Sequence, residues 1–279
     1  MTDRAGEVVD VGGDGGARGG YVRRHRLSTR VWHWVNAAAF VILLMSGLMI
    51  FNAHPRLYWG QYGANSDPAW LQIGSTEGRG YLRVGEATFD TSGVLGTQSV
   101  GGRTQVRAFP GWATIPGTYD LALSRRWHLT FAWVFAGGLV LYAARSLLNR
   151  HLWRDLLPGR RELSVRHLAS EVRGHLTLRF RHEEGMDYNT LQKLAYLGVL
   201  VVLLPLMMLT GLTMSPAMNA AWPWLLDLFG GRQSARSIHF IAAALLVVFV
   251  VVHLVMVVLA GPVAGVRAMI TGRSRLPEG

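Results

Sequence analysis

Cysteine does not occur anywhere in the 279 residues. Its absence excludes disulfides, thiolate-bound zinc, iron–sulfur clusters and the Cys-x-x-Cys-His attachment of c-type haem. Charge is scarce as well: 16% of the residues are charged, against roughly 25% in soluble domains, and four long stretches hold almost none. Acidic residues number only 17. Any bound metal therefore needs ligands other than thiolate, and the ten histidines come first, with Met, Asp and Glu behind them.

What fills the chain instead is apolar surface: half of the residues are hydrophobic and the mean hydropathy is +0.23. Four runs reach the roughly 20 residues that cross a bilayer: Val31–Phe51, Trp127–Leu148, Leu194–Met214 and Ile238–Gly261. The first follows an Arg-rich stretch, as a secretory signal does. At spanning length and with no evident Ala-x-Ala site, it reads as an uncleaved first span. The expected fold class is all-α, an integral membrane four-helix bundle with a long outer loop. Residues 1–20, Gly-rich and poor in apolar side chains, read as a disordered N-terminal tail, 21–270 as the membrane domain, and 271–279 as a C-terminal tail.

The net charge of +11 would suit a nucleic-acid partner, but the placement of the basic residues argues against one. Six arginines lie in 1–30, eight in 149–190 and three beyond Gly261, whereas the 72 residues 53–124 hold five. That is the positive-inside bias. It predicts a bacterial inner-membrane protein with both termini and the 149–190 loop in the cytoplasm and the 53–124 loop outside. Alternating stretches in that outer loop, Tyr81–Phe89 and Thr104–Phe109, suggest a small hairpin layer. Inside, Ser164–Leu178 spaces Val165, Leu168, Val172 and Leu176 at helical intervals, as an interfacial helix does. Pro205 should kink the third span, which carries no histidine and reads as scaffold, with Met207, Met208 and Met214 as packing residues. No internal repeat is evident.

Four histidines, His33, His128, His239 and His253, fall within or at the edges of the spans. One imidazole in lipid is more often a hydrogen-bonded packing residue than a ligand. Their spacing changes the reading. His239 and His253 are 14 residues apart, about 21 Å of rise and about 40° short of four turns, so they share a face at two depths. The topology then pairs His33 with His253 on the cytoplasmic side and His128 with His239 on the outer side. Two imidazoles at one depth suit the axial positions of a haem and leave no open coordination site, which favours electron transfer over chemistry at the iron. Zinc and di-iron centres need more ligands at one depth. Arg30, Arg125, Arg126 and Arg236 each precede one of these histidines closely and are candidates for haem propionates, with snorkelling to headgroups as the bland alternative. Gly47, Gly137, Gly138, Gly198 and Gly211 allow close approach of a macrocycle or of a neighbouring helix.

Arg30-Val31-Trp32-His33-Trp34, Arg126-Trp127-His128, Tyr188-Asn189-Thr190-Leu191-Gln192-Lys193 and the 14-residue histidine pair together resemble the di-haem cytochrome b subunits of membrane formate dehydrogenases and nickel–iron hydrogenases. The likeness is strongest to their thiosulfate-reductase-type relatives, close to the bacterial b561 cytochromes, and covers most of 21–270. It implies two haem b groups and a quinone beside the cytoplasmic haem, contacted by Asn189 and Gln192 near His253. Leu191 stands where the hydrogenase and formate enzymes tend to have Gly, which puts the pocket's shape in doubt, and Asn189 also suits a helix cap. Phe109-Pro110-Gly111-Trp112 and Asp120-Leu121 resemble the subfamily that serves molybdopterin oxidoreductases, implying a periplasmic catalytic partner. The expected function is electron transfer between the quinone pool and that partner, by an electron-transfer subunit of an oxidoreductase complex. Two rivals remain at this stage: a self-contained b561-type oxidoreductase passing electrons from a small molecule such as superoxide to quinone, and a haem-free transporter or anchor. Against the last, neither repeat symmetry nor broken mid-membrane helices are evident.

Overall fold

A computed structural model describes residues 21–23, 27–148, 159, 162–176, 190–259 and 261–275. The expected tail 1–20, most of the 149–190 loop, Asn189 and residues 276–279 lie outside that set. Four helices are long and apolar enough to cross a membrane: α1 (Leu27–Asn52), α2 (Leu121–Leu148), a composite third span over Thr190–Met214, and a fourth over Arg232–Leu259. Each begins several residues before the corresponding apolar run. Polar side chains such as Ser124 and Ser237 are buried in these first turns, so hydropathy alone does not register them as helix. The last span stops at Leu259, and Gly261, expected inside it, adopts φ +98° at the start of a further helix.

The third span changes its winding midway. Helix α4 (Thr190–Leu197) runs into a π-helical stretch, Gly198–Leu203, and then into α5 (Leu204–Met214). Pro205, in the first turn of α5, has no N–H to return to the carbonyl four residues back, and the Leu204 N–H bonds to Val199, five back. The expected proline perturbation thus takes the form of a widened turn.

Inside the bundle, α1 packs closely along α2, and α5 along the fourth span, giving two helix hairpins. Direct packing between the hairpins is sparse. Outward faces are apolar and exposed, with Leu141, Val248, Val252 and Val258 among them, as lipid contact requires. Short helices α6 (Pro216–Ala221) and α7 (Trp224–Leu228) close the second hairpin, so the fourth span is named α8. At the opposite end lie α3 (Val165–Leu176), where the interfacial helix was expected, and α9 (Pro262–Thr271). There β1 (Tyr21–Arg23) pairs antiparallel with β8 (Arg273–Arg275), joining the two described termini.

The expectation of an all-α chain needs correction, because the long loop between α1 and α2 is a β-rich cap. Strands β2 (Arg56–Leu57), β3 (Leu71–Thr76), β4 (Arg79–Val84) and β5 (Ala87–Asp90) form one antiparallel sheet in sequence order. Strands β6 (Thr97–Val100) and β7 (Arg103–Val106) form a separate hairpin. Tight turns carry the reversals: Glu77 and Gly78, between β3 and β4, both have positive φ. Tyr81–Phe89, read as a hairpin from its alternation, pairs Leu82 with Phe89. The cap folds around Leu57, Ile73 and Ala108, which bury against Phe51 at the end of α1, with Phe240 of α8 packed on the same cluster. A loop of this size without a membrane around it has to build its own core, and alternation with turn residues leads to a sheet.

Asn52 fastens cap to bundle. Its Nδ2 donates to the Phe109 carbonyl at 3.0 Å and its Oδ1 accepts from the Phe109 N–H at 2.7 Å, at a position only 9% exposed. Replacing it by Ala orphans a backbone N–H and a C=O together, an expected cost of about 2 kcal/mol. Hydrogen exchange on the Asn52→Ala protein should show faster exchange at Phe109 and its neighbours with α1 unaffected; unchanged protection at Phe109 would refute this anchoring role.

Candidate functional site

The four intramembrane histidines meet two by two across the seam between the hairpins. His33 of α1 and His253 of α8 have ring centroids 6.4 Å apart with planes 54° from parallel. His128 of α2 and His239 of α8 are also 6.4 Å apart, at 61°. An imidazole nitrogen bound to a transition metal lies about 2.0–2.1 Å from it and the ring centre roughly 1.1 Å further back, so two rings on opposite sides of one ion have centroids roughly 6.3 Å apart. Both pairs have that separation. Among the described residues no group of three or more His, Asp or Glu side chains gathers into a metal cluster.

At the cap end the second ring nitrogen of each histidine is held by a hydroxyl on the neighbouring helix. His128 Nδ1 lies 3.0 Å from Ser46 Oγ and 3.1 Å from the Leu43 carbonyl of α1. With Nδ1–H donated, Nε2 keeps its lone pair, the form a metal binds. His239 repeats the arrangement with α5: its Nδ1 lies 2.9 Å from Thr210 Oγ1. Both hydroxyls donate to the carbonyl one turn back, Ser46 to Ile42 and Thr210 to Leu206, each at 2.6 Å, so their oxygens are free to accept from the imidazole. The residue after each hydroxyl is glycine. A Cβ on Gly47 would stand 3.3 Å from His128 Cε1, and one on Gly211 3.5 Å from His239 Cε1.

Ser46-Gly47-Leu48 and Thr210-Gly211-Leu212 are therefore equivalent cradles, one in each hairpin. Sequence reading noted the two glycines but not the hydroxyls, and took the third span as scaffold. The recurring [Ser/Thr]-Gly-Leu was the signal available, short enough to pass unnoticed without the contact that gives it meaning.

The other pair is built from rings. His33 stands edge-on to Trp34 at 5.2 Å, and its Nδ1 is buried without a hydrogen-bond partner among the described residues. His253 stacks on Phe249 at 6.2 Å and 16°, and Phe249 is edge-on to Tyr196 of α4. Gln192, half-buried, sits one turn before Tyr196. Gly138 allows a different approach: a Cβ there would strike the Trp32 ring at 1.9 Å, so this glycine serves the α1–α2 contact, while nothing lies within 4 Å of a Cβ at Gly137 or Gly198.

The four candidate arginines do not behave alike. Arg125 and Arg126 are exposed on α2. Arg30 donates Nε to the Met269 carbonyl at 3.4 Å and Nη2 to the Ile270 carbonyl, capping α9, with Trp34 Nε1 adding a 3.3 Å bond to Met269. Arg236 is half-buried at the cap end, with Nη2 donating to the His54 carbonyl at 2.5 Å and its guanidinium 5.6 Å from the Phe51 ring centre.

A family model described as prokaryotic cytochrome b561 matches residues 24–272. The chain is 27% identical over 230 residues to a protein of Azospira oryzae named as a protein-methionine-sulfoxide reductase subunit, YedZ1, covering 82% of this chain and 87% of that one. It is 23% identical over 233 residues to a protein of Cupriavidus necator named as a nickel–iron hydrogenase B-type cytochrome subunit, covering 80% and 73%. No solved structure matches.

The hydroxyl cradles are testable apart from any ligand. Ser46→Ala and Thr210→Val each remove an acceptor from a buried imidazole nitrogen while sparing volume, with an expected loss of about 0.5–1.5 kcal/mol. Unfolding in mixed micelles measures it, with Thr213→Val as reference, since Thr213 Oγ1 donates to the Thr210 carbonyl rather than to an imidazole. Losses no larger than the reference would refute the role.

Proposed function

This chain belongs to the prokaryotic cytochrome b561 family, and from that membership and the two histidine pairs we propose that it binds two b-type haems and carries electrons across the bacterial inner membrane between quinone and a periplasmic redox enzyme. The observation that carries this reading is the matched 6.4 Å separation of both pairs at two heights on α8. Haem, when bound, would supply a one-electron carrier, and two imidazoles per site would suit it to electron exchange rather than substrate binding. His33 and His253 would hold one such group and His128 and His239 the other.

The remaining residues orient and insulate. Ser46 and Thr210 fix the ring planes and tautomers of the cap-end histidines. Trp34, Phe249 and Tyr196 exclude water around the other pair. The positive-inside bias supports a periplasmic β-rich cap and cytoplasmic termini. Quinone then belongs on the His253 side, where Phe249 stacks on that ring and Tyr196 of α4 packs on Phe249, with Gln192 one turn before Tyr196 and the Asn189 candidate outside the described residues. The cap offers the redox partner a folded surface. Relatives named as subunits of a methionine-sulfoxide reductase and of a hydrogenase support an oxidoreductase partner, and the Phe109–Trp112 segment favours a molybdopterin enzyme.

Haem quantification on the purified full-length protein tests the pairing. Wild type should carry two haems per chain. His33→Ala and His253→Ala should each remove one haem with the same spectral contribution, and His128→Ala and His239→Ala the other. A double variant within a pair should retain one haem, and one across pairs should retain none. Loss patterns that cross these pairs, or a reduced protein without a b-type α-band, would overturn the reading.

A further inference from the structure

Beyond the His128–His239 pair, towards the cap, two donors converge without the partner their chemistry requires. Arg236 lies one turn outward of His239 on α8. One of its donors goes to the His54 carbonyl, and among the described residues no carboxylate is paired with it. A guanidinium has five N–H donors and strongly favours an anion when half-buried. His54 follows two residues after the end of α1 and seven after Gly47, whose face meets His128. Its carbonyl takes the Arg236 bond, so the chain leaving α1 is tied to α8 one turn outward of His239. Its own ring stacks on Tyr58 at 5.7 Å and 25°, and its Nε2 is buried with no hydrogen-bond partner among the described residues. Burial, then Arg236 and Arg56, hold its pKa below the usual imidazole value, so the ring is neutral at pH 7 and can present Nε2–H as a donor.

Other cationic groups at this end are otherwise placed, Arg56 among them, whose Nη1 donates to the Asn65 carbonyl. Arg125 and Arg126 are exposed on α2. Arg107 is spent on the cap itself, with Nη1 donating to the Gly117 carbonyl at 2.9 Å and Nη2 to Thr114 Oγ1 at 2.7 Å.

We propose that His54 and Arg236 form the carboxylate seat of the cap-end haem, the His54 Nε2–H and the Arg236 guanidinium donating to a propionate. The proposal rests on the haem assignment of His128 and His239 and adds a residue that lies outside the spans and far from any haem motif. A lipid phosphate shares the anionic chemistry, but a seat for lipid has no route to the properties of the haem.

The test uses the purified full-length protein with the haems it carries. His54→Leu should speed release of one haem to excess apomyoglobin roughly tenfold, the effect of losing a hydrogen bond to a charged group. It should also lower the reduction potential of that haem alone, because an uncompensated carboxylate favours ferric iron. His54→Gln, which keeps an N–H donor, should restore most of both. In unmodified protein the propionate bending mode of the cap-end haem should shift on deuterium exchange, shift as much in His54→Gln, which keeps an N–H donor, and shift less in His54→Leu, where Arg236 alone donates; an undiminished shift in His54→Leu would overturn the proposal. Release and potential equal to wild type in His54→Leu, or equal changes at both haems, would overturn it in favour of a lipid or purely structural role. Absence of the wild-type Raman shift overturns it whatever the variants' yields. A wild-type protein whose haem content is untouched by His128→Ala and His239→Ala would instead overturn the haem assignment beneath it.

Discussion

An imidazole inside a bilayer must have somewhere to place each of its two nitrogens, and the bundle is arranged around that requirement. Water is absent, the acyl chains offer nothing, and an unpaired polar atom there is costly. At the cap end the solution is complete for Nδ1: a hydroxyl on the neighbouring helix accepts from it, and that hydroxyl is itself tied to its own helix one turn back. The remaining nitrogen of each ring is left to the seam. Small residues at Gly47 and Gly211 let the rings lie close against the helix that holds them, so the hydrogen bond and the packing demand the same glycine. This explains why close packing is concentrated within each hairpin. Each hairpin orients its own histidine internally, and the pairing between hairpins is left to the rings.

The two ends solve the problem differently. His128 and His239 are fixed by hydrogen bonds, whereas His33 and His253 are flanked by Trp34 and Phe249. Hydrogen bonding at Nδ1 raises the basicity of a ligating imidazole, and aromatic contact does not. As ligands, the cap-end pair would therefore be the more strongly donating of the two, before any difference in the surrounding charge is considered. Charge acts in the opposite sense at that end, where Arg236 stands one turn from His239. With haem bound as proposed, ligand basicity would favour the oxidised iron and a nearby guanidinium the reduced one, so the balance at the cap end would be set by α8 and the end of α1 together.

Much of this was legible in the chain itself. Spans follow from hydropathy because a bilayer imposes a length, and the 14-residue spacing of His239 and His253 follows from helix geometry, so both heights could be read before any coordinates. What was not legible depended on contacts between elements. The hydroxyls of Ser46 and Thr210 look like ordinary packing residues until the facing helix is known. Arg30 has the spacing of a haem-carboxylate partner, yet it caps α9, a helix whose presence the sequence did not reveal. The cap was anticipated only as hairpins, since strand order in a Gly-rich segment depends on which edges the bundle covers. His54 escaped notice for a related reason. Its position two residues beyond α1 reads as loop, and only the carbonyl bond from Arg236 shows that the loop turns back over the helix ends.

The cap is more than a cover for the helix ends. Phe51, the penultimate residue of α1, belongs both to the cap's core with Leu57 and Ile73 and to the ring contacts with Phe240 of α8, at 4.9 Å. Phe240 is the residue after His239. Ser237, two before it, accepts from Trp70 Nε1 at 2.9 Å and donates to the Tyr58 carbonyl at 2.6 Å, both in the cap. Helix α8 is thus gripped on either side of His239 by a domain that also holds α1 through Asn52. Because α1 orients His128 through Ser46, a displacement of the cap would bear on both members of the pair at once. A protein docked on the cap would therefore touch a unit bonded to α8 beside His239 and to α1, the helix whose Ser46 orients His128.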